Sequence, residues 1–476
     1  MNGKYFFIVF FIFSCIINST GQKVTISGIA PDYAGIKLYP YLYADEITKL
    51  EEELDIININ DSGEFYTEIK ITNTKQLFIP LGANKGYLFI EPYTDYEIAL
   101  PPREDKLLRD KLNPYYTESE IHIGVINAYT KGEINEENEL NFLINSFDIS
   151  YENIYNKIIL NINSNSLNID SLCNRLQQIF DNSNNKYFNN YKEYKIGILK
   201  YTSLLKPVTN KFVKVYFENK PILYNNIAYM ELFHLVFNKF IISYLDNNKN
   251  RQRLEEALID KNYNKLVNVF IIEDKKLNES LSEFVFLKEI HDGLYSENYP
   301  NQILLQIIDT LYFNSVIPEH NYIAQNIREK TARLLPGYSP PDFNLTNTNN
   351  KKINLESFKG KYVYLNFVST QSLACIKDFN ILNTLQEKYQ DFMQIVSISI
   401  DESFENTLYY IEKKKLKWTF LHFDNDPRIL KKYNIKAYPT YYLIDPKGNM
   451  KLSPAPSPEE NFEIRFLEIL KSEGLI

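Results

Sequence analysis

The chain has 476 residues, with 52 basic and 60 acidic side chains, a net charge of −8 and a hydrophobic fraction of 44%. This length exceeds one ordinary core, so several globular domains are expected, and the acidic balance excludes the basic footprint of a nucleic-acid binder. The five histidines (His122, His234, His291, His320, His422) are scattered and no CxxC, HxxxH or HExxH occurs, so neither a metal nor another cofactor is expected.

Lys4 precedes a mostly apolar run from Tyr5 to Ile17, and Ser19-Thr20-Gly21 places small residues where a signal peptidase reads. Residues 1–21 are therefore expected to be a signal peptide, with the mature chain starting at Gln22. The run is too short for a comfortable membrane span. Membrane attachment is expected only through lipidation at Cys15, in the loose lipobox Ile12-Phe13-Ser14-Cys15. Phe13 is bulky for that motif and Ile16-Ile17 prolong the apolar run, so soluble export is preferred. After cleavage Cys173 and Cys375 remain in an oxidising compartment, but in different expected domains, and they read as two separate buried thiols.

Residues 22–112 read as β structure. Val24 and Ile26, then Ile56, Ile59, Phe65, Ile69 and Ile71, show alternating stretches, with Asp61-Ser62-Gly63 as a hairpin turn. Leu88 to Pro92 and Tyr96 to Leu100 complete a set that resembles the small β-sandwich domain often found ahead of thioredoxin-like domains in secreted proteins of Gram-negative bacteria. Residues 113–334 read as helical. Ala228, Leu232, Leu235, Val236 and Phe240, widened by Ile241, Ile242 and Leu245, form a broad apolar stripe, and Glu255 to Val269 and Leu277 to Tyr295 continue in that manner. Core packing of a bundle accounts for the stripe better than partner binding. The asparagine-rich stretches 161–168 and 182–185 read as compositional drift rather than a recognition tract.

Residues 335–476 alternate strands with helices, which argues for a mixed α/β sheet. Lys361 to Ser369 is a buried-strand run leading into Ser372, after which Leu373, Ile376, Phe379, Leu382, Leu385 and Tyr389 recur at helical spacing. Gln394 to Ile400 reads as a strand, and Ser403 to Leu416 and Pro427 to Tyr433 as helices. Ile435 to Thr440 runs into the strand Tyr441 to Ile444 and the turn Asp445-Pro446-Lys447-Gly448, and Pro458 to Lys471 closes the chain as a helix.

This last segment resembles the thioredoxin-like domain of the envelope thiol-disulfide reductases of the TlpA type. The resemblance rests on Pro340 to Leu345, on Gly360 to Phe367, on Tyr433 to Thr440 and on Leu443 to Gly448. It implies a C-terminal α/β thioredoxin fold, so the expected chain is multidomain, with the N-terminal β-sandwich and the central all-α helical region read above ahead of it. It also implies that Ser372 occupies the attacking and Cys375 the resolving position of a CxxC dithiol, so the motif Ser372-Leu373-Ala374-Cys375 is degenerate. Half of a dithiol cannot cycle alone, because the first thiolate attacks and the second resolves the mixed disulfide. Gln371 stands where the family usually has tryptophan. Pro439, after Tyr438, matches the family's cis-proline, which implies a groove beside both residues.

Peroxiredoxins share this fold and carry a Thr/Ser-x-x-Cys motif that Ser372 and Cys375 also fit, making Cys375 a candidate peroxidatic thiol. Val368 stands where that motif begins with proline, and Pro439 stands near where its activating arginine would fall. The simplest reading of Ser372 is a helix cap. The function expected is an exported protein of the periplasm or cell envelope, from the thiol-disulfide oxidoreductase family but without dithiol activity. It would act as a binding module whose groove takes an extended polypeptide or envelope protein. The alternative is a monothiol oxidoreductase, reductase-like or peroxiredoxin-like, using Cys375.

Overall fold

In the computed structural model every second residue of the run Glu64–Ile71 is buried, so Phe65, Thr67, Ile69 and Ile71 face a core while Glu64, Tyr66, Glu68 and Lys70 face water. The structure describes residues 21–107, 116–134, 138–161, 167–205, 209–238, 277–294 and 301–476, with isolated residues between them. The expected leader up to Thr20, including Cys15, lies outside the described residues, as do Phe240 to Leu245 and most of Glu255 to Val269. No helix among the described residues is long and apolar enough to cross a membrane.

The amino-terminal region is strand-rich. Its strands are β1 (Gln22–Ile29), β2 (Lys37–Leu38), β3 (Tyr41–Tyr43), β4 (Glu51–Glu53), β5 (Ile57–Asn58), β6 (Glu64–Ile71), β7 (Lys75–Leu81), β8 (Asn84–Ile90), β9 (Thr94–Ala99), β10 (Ser119–His122), β11 (Gly124–Thr130) and β12 (Glu133–Ile134). They form two five-stranded sheets, β12-β11-β9-β1-β6 and β10-β8-β7-β3-β4, and a small β2-β5 pair. Val24, Ile26, Ile69 and Ile98 from the first sheet and Leu77, Ile79, Leu88 and Ile90 from the second belong to one buried cluster. The boundary expected at residue 112 moves to about Ile134, because β10 pairs with β8 and β11 with β9 across long sequence separations that no local pattern reveals.

The helical region begins with α1 (Leu140–Leu160), α2 (Ile169–Ile179) and α3 (Lys186–Thr202), then a short α4 (Thr209–Phe212) that runs into a π-helical turn. It continues through α5 (Ile227–Val236), α6 (Glu279–Leu294), α7 (Asn301–Asn314) and α8 (Pro318–Ala332). Asn168, Asn185 and Asn226 cap α2, α3 and α5 through their side-chain oxygens, so part of the asparagine excess has a local structural use. Cys173 on α2 is a buried free thiol, apart from Cys375.

The carboxy-terminal domain holds β13 (Asn344–Asn347), β14 (Lys352–Asn354), β15 (Tyr362–Val368), β16 (Met393–Ser399), β17 (Thr419–His422), β18 (Thr440–Ile444) and β19 (Met450–Ala455), with α9 (Leu373–Tyr389), α10 (Phe404–Lys414), α11 (Arg428–Lys432) and α12 (Phe462–Ser472). The sheet order is β14-β13-β17-β16-β15-β18-β19, with β15 and β16 parallel and β15 and β18 antiparallel. All seven residues of β15 are buried. Tyr364 and Val368 enter the cluster shared with α9 and α12, and Val363, Leu365 and Phe367 enter the cluster on the other face. The single closing helix expected from Pro458 is divided: a 3-10 turn, Pro458–Glu460, ends at Asn461, whose left-handed backbone (φ 66°) precedes α12. The short strand β17 was not foreseen, since four residues between a helix and a loop give little periodicity.

Asp401, just after β16, anchors the loop that follows β15. Its carboxylate accepts from Ser369 Oγ (2.8 Å), Thr370 N (3.1 Å), Thr370 Oγ1 (2.5 Å) and Thr407 Oγ1 (3.1 Å), and His422 Nε2 donates to its carbonyl at 2.8 Å. Across the molecule β4 meets α11: Lys431 pairs with Glu51 and Lys432 with Glu53, both at 2.9 Å, and Arg428 approaches Glu53 at 3.6 Å. Lys431 also lies 4.5 Å from the centre of the Tyr41 ring and Arg428 lies 5.0 Å from that of Tyr39.

Replacing Asp401 by alanine strands several buried donors and is expected to cost about 2–4 kcal/mol in urea denaturation, with Asp401→Asn costing less. The ionic seam is half-exposed, so each pair contributes roughly 0.2–1 kcal/mol. Glu51→Lys with Glu53→Lys should therefore loosen the contact between the amino-terminal region and the carboxy-terminal domain, seen as a larger radius of gyration by X-ray scattering, and Lys431→Glu with Lys432→Glu should restore it. An unchanged radius in the first double variant would show that the seam does not hold the two parts together.

Candidate functional site

Ser372 and Cys375 sit where a buried strand hands over to a helix. β15 ends at Val368, the Ser369-Thr370 loop is held by Asp401, and Ser372 N donates to Ser369 O at 3.1 Å. Ser372 is the N-cap of α9, with extended backbone (φ −94°, ψ 118°), and its Oγ accepts from Cys375 N at 3.5 Å. The same hydroxyl donates to the carbonyl oxygen of Tyr438 at 3.3 Å. Four residues singled out from sequence, Ser372, Cys375, Tyr438 and Pro439, thus converge, and the Tyr438-Pro439 peptide is cis.

The two positions of the motif differ in environment. Ser372 is half-buried, and beside it Leu373 is 81% exposed and Ala374 is exposed. Cys375 is fully buried in the cluster that contains Val368, Phe379 and Tyr441. Burial pushes its thiol above the ordinary range, hydrogen bonds from Ser369 and Ser372 only partly offset this, and the charges acting on it, Asp378 and Asp401, oppose the thiolate further. Tyr438 is pushed up to about 12, chiefly by burial.

Sequence reasoning missed a polar layer on the same face of the sheet. Tyr441 Oη donates to Asp378 Oδ2 at 2.6 Å, and burial raises that carboxyl. Tyr364 stacks on Tyr441 at 5.0 Å and donates to Pro456 O at 2.7 Å. Asn366 is fully buried between Ser397 on β16 and Tyr441 on β18, and its amide has no partner among the described residues. Asp378 was findable, since it follows Cys375 by three residues and so shares its helix face. Asp401 was not, because 31 residues separate it from the loop it holds. Among the described residues no group of three or more histidine, cysteine, aspartate or glutamate side chains could hold a metal ion.

Residues 336–453 match the AhpC/TSA family. The chain is 30% identical over 151 residues to the thiol-disulfide oxidoreductase ResA of Bacillus cereus, covering 32% of this chain and 86% of that one. It is 30% identical over 127 residues to the thioredoxin-like protein YneN of Bacillus subtilis, covering 26% of this chain and 74% of the relative. A crystal structure of a putative thiol:disulfide interchange protein DsbE from Chlorobium tepidum aligns with 25% identity over 29% of this chain and 97% of that one, with a TM-score of 0.27. The family match, together with 30% identity to a relative of which 86% is spanned, identifies the chain as a member of the thiol-disulfide oxidoreductases of the AhpC/TSA family, a TlpA-like protein with its thioredoxin-like domain at the carboxy-terminal end.

Proposed function

We propose that this is an exported protein whose thioredoxin-like domain no longer exchanges dithiols and instead binds an extended polypeptide in the groove beside Tyr438 and Pro439. The observation that carries the reading is the division of the motif. The half-exposed position is a serine whose hydroxyl is engaged with a helix end and the Tyr438 carbonyl, while the single thiol lies out of reach beneath it. A serine hydroxyl is a weak nucleophile without an adjacent base. The monothiol alternative needs an accessible thiolate, which burial, Asp378 and Asp401 all oppose. Leu373 and Ala374, exposed next to Ser372, offer apolar surface suited to side chains of an unfolded segment. In this reading the two amino-terminal sheets are a β-sandwich that, with the helical region, carries the domain in the envelope.

Export is tested by the intact mass of protein recovered from its native envelope: a chain starting at Gln22 is expected, and a diacylated product starting at Cys15 would replace soluble export by a lipoprotein.

The chemistry is tested in insulin reduction with dithiothreitol as reductant. The native chain should show no turnover above background, and Cys375 should alkylate at least tenfold more slowly folded than unfolded. Ser372→Cys places a sulfur at a helix amino terminus, where the dipole favours thiolate, and should create a reducible disulfide with Cys375 and measurable exchange. Reduced, carboxymethylated α-lactalbumin should bind the native chain, and Leu373→Asp should weaken it about tenfold, the effect of roughly 1.4 kcal/mol. Native turnover abolished by Cys375→Ser would replace the binding reading with a monothiol enzyme.

A further inference from the structure

A cavity of about 680 Å³ lies between the strand-rich and helical regions, far in sequence from the Ser372 turn. Its volume falls within the roughly 300–1,000 Å³ typical of small-molecule sites. Asn73, Thr74 and Glu91 line it from one side, and segments of the helical region line it from the other.

Several of these side chains are committed to the fold. Asn185 caps α3 and donates to Glu91 at 3.0 Å, and Asn226 caps α5 and donates to the Tyr187 carbonyl at 3.1 Å. Tyr187 Oη donates to the Asn225 carbonyl at 3.2 Å. Tyr224 Oη bonds His320 Nε2 at 2.8 Å, and the fully buried His320 is held in turn by Glu283 at 2.8 Å. Both phenol groups are therefore anchored in the protein, and what the two tyrosines offer the cavity is ring surface.

What remains is specific. The half-buried amides of Asn190 and Asn225 have no hydrogen-bond partner among the described residues, although each can donate two bonds and accept two. An apolar ligand would strip water from both amides without replacing it. An anion would meet Glu91 and Glu319. Of the three charged side chains in the lining, Glu91 is already bonded to Asn185, and Lys186 and Glu319, both exposed and without ion pairs among the described residues, leave one free charge of each sign. The set suits a ligand that is uncharged, carries many hydroxyls that both donate and accept, and has apolar ring faces.

We propose that this cavity binds a short neutral oligosaccharide, with Asn190 and Asn225 bonding its hydroxyls and the rings of Tyr187 and Tyr224 meeting its apolar faces.

The test is calorimetric titration of the full chain with chitotriose, cellotriose and maltotriose. At least one should bind with a dissociation constant of about 1 mM or tighter. Asn190→Ala with Asn225→Ala should weaken that binding at least tenfold and leave the thermal midpoint of the free protein unchanged. If the double variant does not fold, Asn190→Ala alone should weaken binding and reduce the rise in midpoint that the sugar gives the native chain. Failure of all three sugars to bind, equal binding by the folded variant, or binding of inorganic phosphate or spermidine in place of the sugars would overturn the proposal. None of these results depends on the reactivity of Cys375 or on peptide binding at Tyr438.

Discussion

One hydroxyl joins the parts of the thioredoxin-like site. Ser372 Oγ accepts from the first turn of α9 and donates to the Tyr438 carbonyl, so the start of the helix and the wall containing Pro439 are held together by an atom that can do both at once. A thiol in its place would be a weaker donor and acceptor but a competent nucleophile. The residue present makes the joint stronger and the chemistry poorer. The position of Cys375 compounds this, because the turn that exposes position 372 turns position 375 into the core.

The loop before Ser372 is rigid for a separate reason. Asp401 collects donors from Ser369, Thr370 and Thr407, and a carboxylate in so many bonds is well compensated for its burial. Asn366 is the opposite case, a buried amide in the central strand without a partner among the described residues. It lies on the face shared by Tyr364, Tyr441 and Asp378, so the floor beneath the turn is polar. A polar floor makes that part of the domain costlier to fold than a wholly apolar one.

The amino-terminal region meets its two neighbours in chemically different ways. The amino-terminal strands meet the thioredoxin-like domain through Glu51 and Glu53 against Arg428, Lys431 and Lys432. The amino-terminal and helical regions share an apolar contact, with Ile47 and Phe89 buried in the helical cluster, and add Asn326 on Asp45 at 2.8 Å, Lys330 on the Thr48 carbonyl, and Asn141 bonding both backbone groups of Phe89. The half-exposed ion pairs fix orientation more than they add stability, whereas the burial of Ile47 and Phe89 stabilises the other boundary.

The sequence by itself determined the elements whose signal is local. The β15 run, the apolar stripe of α9, the serine cap and the segment around Pro439 were legible because periodicity and capping act over a few residues. The groove beside Tyr438 and Pro439 followed only from resemblance, and it is the structure that brings the Ser372 hydroxyl to the Tyr438 carbonyl. Tertiary structure alone decided that β10 to β12 complete the amino-terminal sheets, that Asp401 anchors a loop 31 residues away, and that Asn190 and Asn225 share a cavity with Glu91. Strand pairing and buried polar networks join residues whose separation along the chain carries no periodic trace. The physical reason is that local preferences are set by neighbouring backbone geometry, whereas the partner of a buried polar group is set by where the whole chain closes on itself.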